Sequence, residues 1–112
     1  MQYALMIYAE PGYGDSLPEA EREDLRAEFH ALLGDSRVVE AARLEPAETA
    51  TSVTVIGGRT LMTDGPFADT KEVLGGFAII EAANLDDAVE LAARIPVTRY
   101  GGAIEVRPVE RL

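Results

Sequence analysis

The sequence predicts an α+β fold in which two helices cover one face of an antiparallel sheet. Segments of β-forming residues alternate with two segments of helical periodicity, in the order β-α-β, hairpin, β-α-β. Two such split β-α-β units form a ferredoxin-like sandwich, here with the hairpin inserted between them. With 112 residues, 47% of them hydrophobic, the chain has the size and apolar content of one domain, residues 1–112, with a single core.

The first β-α-β unit begins with a strand at residues 3–9, which is apolar on both sides, as a central strand is. Ser16 and Glu19 match a capping box, which predicts that the first helix begins there. The apolar stripe of this helix continues to Leu33, and a glycine follows. Residues 38–44 form the second predicted strand, which ends before a proline.

The hairpin and the second β-α-β unit are likewise predicted from their turn and capping residues. Gly57 and Gly58 separate two short β runs, so a tight turn with positive φ angles is expected between them. Asn84 is a typical helix N-cap residue, and acidic residues in the next turn suit the helix dipole. The predicted elements are strands at 52–56 and 59–63, a polar loop at 64–76, a strand at 77–82, a helix from Asn84 to Arg94, and a strand at 103–109.

Composition excludes several classes of function. The 20 acidic and 10 basic residues give a net charge of −10, which repels nucleic acids and anionic membranes. The chain has no cysteine, which excludes disulfides, thiolate nucleophiles and iron–sulfur clusters, and its one histidine is too few for a multi-histidine metal site. We expect no cofactor and no metal. With no signal-like start and no membrane-length apolar run, a cytoplasmic location is expected.

Two helices leave the second face of the sheet uncovered. The residues expected there are Tyr3, Leu5 and Ile7 or else Ala4, Met6 and Tyr8, with alternate residues of the strands at 77–82 and 103–109. A patch of that size is rarely exposed in a monomer. The sequence therefore predicts a homodimer in which two sheets pack face to face.

One segment carries a family signature. The run Asp-Gly-Pro-Phe-Ala-Asp-Thr-Lys-Glu at 64–72 is followed by Leu-Gly-Gly-Phe at 74–77. Tyr-Ala-Glu at 8–10 ends the first strand, and Ala-Ala-Arg-Ile-Pro at 92–96, Tyr-Gly at 100–101 and Glu-Val-Arg-Pro at 105–108 follow in order. Over essentially its whole length the chain resembles the DGPF subgroup of the YCII-related proteins. The resemblance implies the dimeric α/β-barrel version of the ferredoxin-like fold.

The resemblance implies less about activity. Most relatives are uncharacterised, and many members of the DGPF subgroup are encoded beside sigma factors of the extracytoplasmic-function type. The wider group includes a dehydrochlorinase-like enzyme, and some members carry a proposed His/Asp active pair with the histidine in the first helix. His30 is the plausible counterpart of that histidine here. Asp64 is our candidate for its partner because it belongs to the motif.

The Asp64 motif has a structural and a functional interpretation. In the structural one, Asp64 and the following Gly-Pro form a turn, and Phe67 anchors the loop in the core. In the functional one, the rigid loop points the Asp64 carboxylate into a cleft, where desolvation near Phe67 raises its pKa and allows general acid or base catalysis. Likewise, His30 lies at the flank of the helix stripe, either as a surface residue or as a general base oriented by Asp64.

Four further residues are candidates for substrate binding. Lys71 is the only lysine and can bind an anionic group, while Glu72 can pair with it; the alternative is a solvated, ion-paired loop. Phe67 and Tyr8 can line a pocket, and Tyr8 can equally lie at a dimer interface.

Two functions follow as hypotheses. The first is a small homodimeric enzyme-like protein that binds a small organic molecule near Asp64 and performs lyase- or isomerase-like acid/base chemistry. The second is a non-catalytic ligand-binding or interaction module linked to sigma-factor-type transcriptional regulation.

Overall fold

A computed structural model describes residues 1–112 and contains six strands and two α-helices. The elements are β1 Gln2–Ala9, α1 Glu19–Leu33, β2 Val38–Arg43, β3 Thr51–Ile56, β4 Arg59–Asp64, β5 Val73–Glu81, α2 Leu85–Ala93 and β6 Ala103–Pro108, with short 3₁₀ turns at Ala47–Thr49 and Pro96–Tyr100.

Four of the strands form one sheet in the order β2-β5-β1-β6. All three pairings in it are antiparallel. The two strands that follow the helices, β2 and β6, lie at the edges of the sheet. The remaining strands, β3 and β4, form a separate two-stranded hairpin. This is the ferredoxin-like arrangement with an inserted hairpin, which confirms the predicted fold class.

The core lies between the helices and one face of the sheet. Leu5 of β1 and Ile80 of β5 are almost completely buried, in a cluster that includes Leu32 of α1 and Leu91 of α2. Neither helix has the length and apolar character needed to cross a bilayer.

The other face of the sheet, which we call the open face, has no cover within the chain. Because side chains alternate along a strand, Ala4, Met6 and Tyr8 lie on this face. Phe77 and Ile79 of β5 stand opposite Met6 and Ala4. Of the two residue sets that the sequence allowed for β1, the second is therefore on the open face.

The start of α1 differs from the prediction. Ser16 does not cap the helix, and the N-cap position is Pro18, with no capping side chain. The ψ angle of Pro18 is 151°, an extended value, so a helix cannot run through it from Ser16. The Pro18 carbonyl instead accepts hydrogen bonds from the backbone N–H groups of Glu21 and Arg22 at 3.0 and 3.1 Å.

The loop after the hairpin is shorter than predicted at both ends. Asp64 is the last residue of β4, opposite Thr51, rather than the first residue of a loop. At the other end, β5 begins at Val73 and includes Gly75 and Gly76, which the sequence analysis had assigned to the loop. Glycine is rare inside strands, but this pair lies at a register shift between β5 and β1, where glycine is tolerated.

The hairpin turn is confirmed in its detail. Gly57 and Gly58 have φ angles of 58° and 77°, as a primed two-residue turn requires. The hairpin extends away from the rest of the chain, and the radius of gyration is 15.9 Å, compared with about 13 Å for a compact domain of this length.

The predicted cap of α2 is also confirmed, and it yields a stability prediction. The Asn84 side chain accepts a hydrogen bond from the backbone N–H of Asp87 at 2.9 Å. Replacing Asn84 with Ala leaves that N–H without a partner in the first turn, so we expect a loss of about 1 kcal/mol of unfolding free energy. The loss should lower Tm by about 5 °C in thermal denaturation followed by circular dichroism.

The matched control for this prediction is Asn84→Asp, which keeps an oxygen acceptor at the cap and should retain most of the stability. An unchanged Tm in Asn84→Ala would contradict the assignment of this cap.

Candidate functional site

A cleft of about 350 Å³ lies at the base of the hairpin. Its wall is formed by the segment after β2, the Ala47–Thr49 turn, Pro66 of the motif, and the start of β5. The lining residues are Leu44, Glu45, Pro46, Ala47, Thr49, Ala50, Pro66, Val73 and Leu74. Small-molecule sites are clefts of about 300–1,000 Å³ with mainly apolar walls and a few polar groups, and this cleft, which is open to solvent, agrees with them in volume and in lining.

A second space lies between α1 and the sheet. Its volume is about 20 Å³, and all of its lining side chains are hydrophobic. It has room for roughly one water molecule and offers that water no polar partner, so it is a packing gap in the core.

The motif segment is fixed to the base of the hairpin by two hydrogen bonds to the backbone of Gly65. The Gly65 N–H donates to the Ala50 carbonyl at 2.7 Å, and the Ser52 hydroxyl donates to the Gly65 carbonyl at 2.7 Å. Gly65 has a φ of 96°, which a side chain would disfavour. Asp64 therefore precedes a rigid turn that brings Pro66 to the cleft, and the Asp64 side chain is exposed.

Phe67 does not have the position that either interpretation of the motif gave it. Its side chain is 87% exposed, so it does not anchor the loop in the core, and that expectation is wrong. Since Asp64 is exposed too, Phe67 does not desolvate the Asp64 carboxylate in the free chain.

Lys71 lies at the same end of the sheet as the cleft. Its Nζ is 3.1 Å from a carboxylate oxygen of Glu10, which directly follows β1. The hydrogen bond and charge of Glu10 raise the pKa of Lys71, and the charge of Glu72 adds to this effect. The backbone carbonyl of Glu72 accepts a hydrogen bond from the Thr70 hydroxyl at 2.6 Å, which orders the loop just before Val73.

Tyr8 connects the open face to the cleft. It stands opposite Leu74 in the pairing of β1 with β5, and Leu74 lines the cleft. The structure thus brings the end of β1, the residues 71–74 and Pro66 to one region, with Tyr8 and Lys71 at its border.

His30 is not part of this region. It is exposed on α1, whereas Asp64 belongs to the separate hairpin, and neither residue takes part in any ion pair of the chain. No hydrogen bond joins them. No group of three or more His, Asp or Glu side chains converges as metal ligands would.

Most residues of the cleft wall are not among the candidates that the sequence suggests. The sequence places Leu44 at the end of the second predicted strand, residues 47–50 in a connection between strands, and Val73 and Leu74 in a loop. The sequence feature that indicates this part of the wall is Pro46, which lies just after the second predicted strand. Pro46 and the short segment after it reverse the chain beside the motif.

Known proteins support this fold. The 5-chloro-2-hydroxyhydroquinone dehydrochlorinase (TftG) of Burkholderia phenoliruptrix, solved in complex with 2,5-dihydroxybenzoquinone, superposes with a TM-score of 0.59. It covers 100% of this chain and 96% of its own, at 20% sequence identity, which shows a common fold. An uncharacterized protein of Rhizobium meliloti (strain 1021) is 34% identical over 114 residues, covering 97% of this chain and 92% of its own. The YCII-related domain family matches residues 1–112, and the chain therefore belongs to the YCII-related family.

Proposed function

We propose that this protein is a homodimeric, enzyme-like protein that binds a small organic molecule in the cleft at the hairpin base. The cleft itself carries the proposal, because it combines about 350 Å³ of space, an apolar wall and the family-like motif at Pro66. Its polar lining groups are Glu45 and Thr49, which suit a ligand with an apolar body and one or two hydrogen-bonding groups.

Asp64 is the acid or base of this proposal. Its carboxylate is the ionisable group that precedes the rigid Gly-Pro turn, two residues before Pro66 enters the cleft wall. A bound ligand would exclude water from the carboxylate, and desolvation raises the pKa of a carboxyl group toward values useful for proton transfer. Lyase- or isomerase-type chemistry requires such a group and no redox cofactor.

The open face supports the proposed homodimer. Met6, Phe77 and Ile79 lie at its centre on the two inner strands, without cover in the single chain. Packing two open faces together would remove them from water.

The first test is binding of a defined probe, 2,5-dihydroxybenzoquinone, the compound bound in the structure of the dehydrochlorinase above. In two-dimensional NMR of the labelled protein, we expect shifts of the Thr49, Ala50 and Leu74 amide signals on addition of the probe. Ala47→Trp fills the cleft and should abolish these shifts. Ala20→Trp introduces the same side chain at an exposed position of α1 and should leave them unchanged.

Shifts confined to residues outside the cleft, or equal shifts in Ala47→Trp and wild type, would contradict the assignment of the binding site.

The second test concerns catalysis, using any related hydroxylated ring compound that the wild type converts. Asp64→Asn should lower kcat at least about 100-fold with little change in ligand affinity, because it removes the proton-transferring group and keeps its size. Asp69→Asn is the matched control in the exposed loop that follows Asp64 and should retain activity. His30→Gln tests the acid/base pair, since a similar loss there would assign His30 as the partner of Asp64. Full activity of Asp64→Asn would refute its catalytic role.

The second candidate function, a non-catalytic ligand-binding or interaction module linked to transcriptional regulation, is favoured by one observation. Asp64 and His30 are both exposed and do not contact each other. Probe binding at the cleft without conversion of any compound of the panel, together with capture of a sigma factor by the purified protein, would support this function over the first.

A further inference from the structure

The hairpin, residues 51–64, forms an arm with no support from the rest of the fold. Its strands make extensive contact only with each other. Five large hydrophobic side chains on it are between 43% and 75% exposed, namely Val53, Val55, Ile56, Leu61 and Met62. An isolated two-stranded hairpin is only marginally stable in water. Packing against another surface would bury these side chains and stabilise the hairpin.

The arm also lacks the features that protect solvent-exposed strands. Strand β3 contains no charged residue and no proline, and its only neighbour is β4, so its second edge is unpaired. Charges, bulges or prolines normally prevent an exposed strand edge from pairing with another chain. An edge without these features can form such a pairing. In a chain with a net charge of −10, the arm carries one positive and one negative residue, Arg59 and Asp64.

We propose that the arm is a dimerisation arm, whose apolar side chains pack against a second copy of this chain. The inference rests on the proposed face-to-face homodimer and adds the element that makes it stable. Each arm extends beyond its own sheet and covers the margin of the open face of the second copy.

Interface area supports a second copy as the occupant. Four strands about 4.8 Å apart and six residues long give an open face of roughly 400 Å². A stable interface buries about 800 Å² on each partner, so the open face alone supplies about half of that area. The arm is about 20 Å long, the same as the width of four strands, and its exposed hydrophobic side chains supply the missing contact.

Charge complementarity supports the same occupant. Arg59 lies at the tip of the arm and has no ion-pair partner within the chain. Glu40 lies on the open face, opposite Ile79 on the edge strand β2, and is likewise unpaired. An arm that lies along the β2 margin of the second copy's open face brings its Arg59 to the edge where that copy's Glu40 lies.

Sedimentation equilibrium of the full chain tests the proposal. We expect wild type to be a dimer at micromolar concentration. The arm variant Val53→Thr/Val55→Thr keeps β-branched residues, and so the hairpin, but should raise the dimer Kd at least tenfold. Val89→Thr is the matched control, an exposed valine on helix α2, which covers the other face of the sheet, and should leave Kd unchanged.

A charge exchange provides the second measurement. Arg59→Glu should weaken the dimer, and Arg59→Glu/Glu40→Arg should restore it, because the pair is re-formed with reversed signs. A dimer whose Kd is unaffected by both the valine and the charge variants would overturn the arm's role and leave the proposed homodimer intact. A monomeric wild type would overturn both. A monomer with a radius of gyration near about 13 Å in X-ray scattering would show that the arm folds back on its own sheet.

Discussion

Gly76→Ala is expected to destabilise the protein by about 3 kcal/mol, although it adds a single methyl group. A Cβ atom on Gly76 would lie 2.8 Å from the carbonyl oxygen of Ala42 and 3.6 Å from the Cα of Arg43. Both atoms belong to the backbone of β2, so no side-chain rotation can relieve the contact. Strand β2 would have to move away from β5, which weakens the pairing that holds the edge strand in the sheet.

Gly75→Ala is the matched control, and its expected effect has the opposite sign. A Cβ at Gly75 would have its nearest neighbour, the Ile7 carbonyl oxygen, at 4.0 Å, and the backbone there has no positive φ. Alanine at such a position stabilises by about 0.4–1 kcal/mol because it restricts the unfolded chain. Urea denaturation of both variants measures the difference. Equal effects of the two substitutions would mean that β2 and β5 are not packed as closely as described.

These two glycines show why part of the strand pattern was mispredicted. Glycine weakens strands, so a Gly-Gly pair before Phe77 reads as the end of a loop. Here the close approach of Ala42 on the neighbouring strand requires the absence of a side chain at Gly76. That requirement comes from a contact with a residue 34 positions earlier in the chain, which local pattern does not reveal.

The elements that were predicted correctly depend on local chemistry. The Gly57-Gly58 turn requires positive φ, and the Asn84 cap satisfies an N–H group three residues away. The capping box at Ser16 was also a local signal, yet Pro18, two residues later, adopts an extended conformation and starts the helix instead.

The sequence motif drew attention to one segment of the candidate site, but the cleft beside it could not be predicted from the sequence. The residues 64–72 form a continuous signature in the sequence, and Pro66 of this segment borders the cleft. The cleft, in contrast, is formed where the segment after β2 meets the start of β5, and only the fold brings these parts together. His30 was selected by residue type and family resemblance alone, and the structure places it on α1, away from the cleft wall.

Arg37→Met is expected to lower the unfolding free energy by about 2 kcal/mol at pH 7. The Arg37 guanidinium donates hydrogen bonds to the carboxylates of Asp35, Asp87 and Glu90 at 2.7 to 2.9 Å. It thereby joins the segment between α1 and β2 to helix α2. The side chains of Arg37 and Asp35 are only 20% and 15% exposed, so water cannot fully replace the lost contacts.

The matched control is Arg99→Met, which removes a second arginine that bridges distant elements. Arg99 holds Glu28 through two hydrogen bonds of 2.8 Å, but both side chains are more than 40% exposed. Solvent screens such a pair, so its loss should lower the unfolding free energy clearly less than the loss of Arg37 does. Comparing the Arg→Met substitution at these two sites thus separates the effect of side-chain burial from the effect of hydrogen-bond geometry.

The effect of Arg37 should also depend on pH in a defined direction. The hydrogen bonds and charge of Arg37 hold the pKa of Asp35 well below its usual range. In the unfolded chain that carboxyl group titrates near its ordinary pKa of about 3.9. A pKa depressed by folding contributes stability that is fully present above the unfolded-state value and is lost as the pH falls toward the folded-state value. The stability difference between wild type and Arg37→Met should therefore narrow between about pH 5 and pH 3. Urea denaturation across that range measures it, and a difference that stays constant or widens would show that the Asp35 pair does not stabilise the connection between α1 and β2.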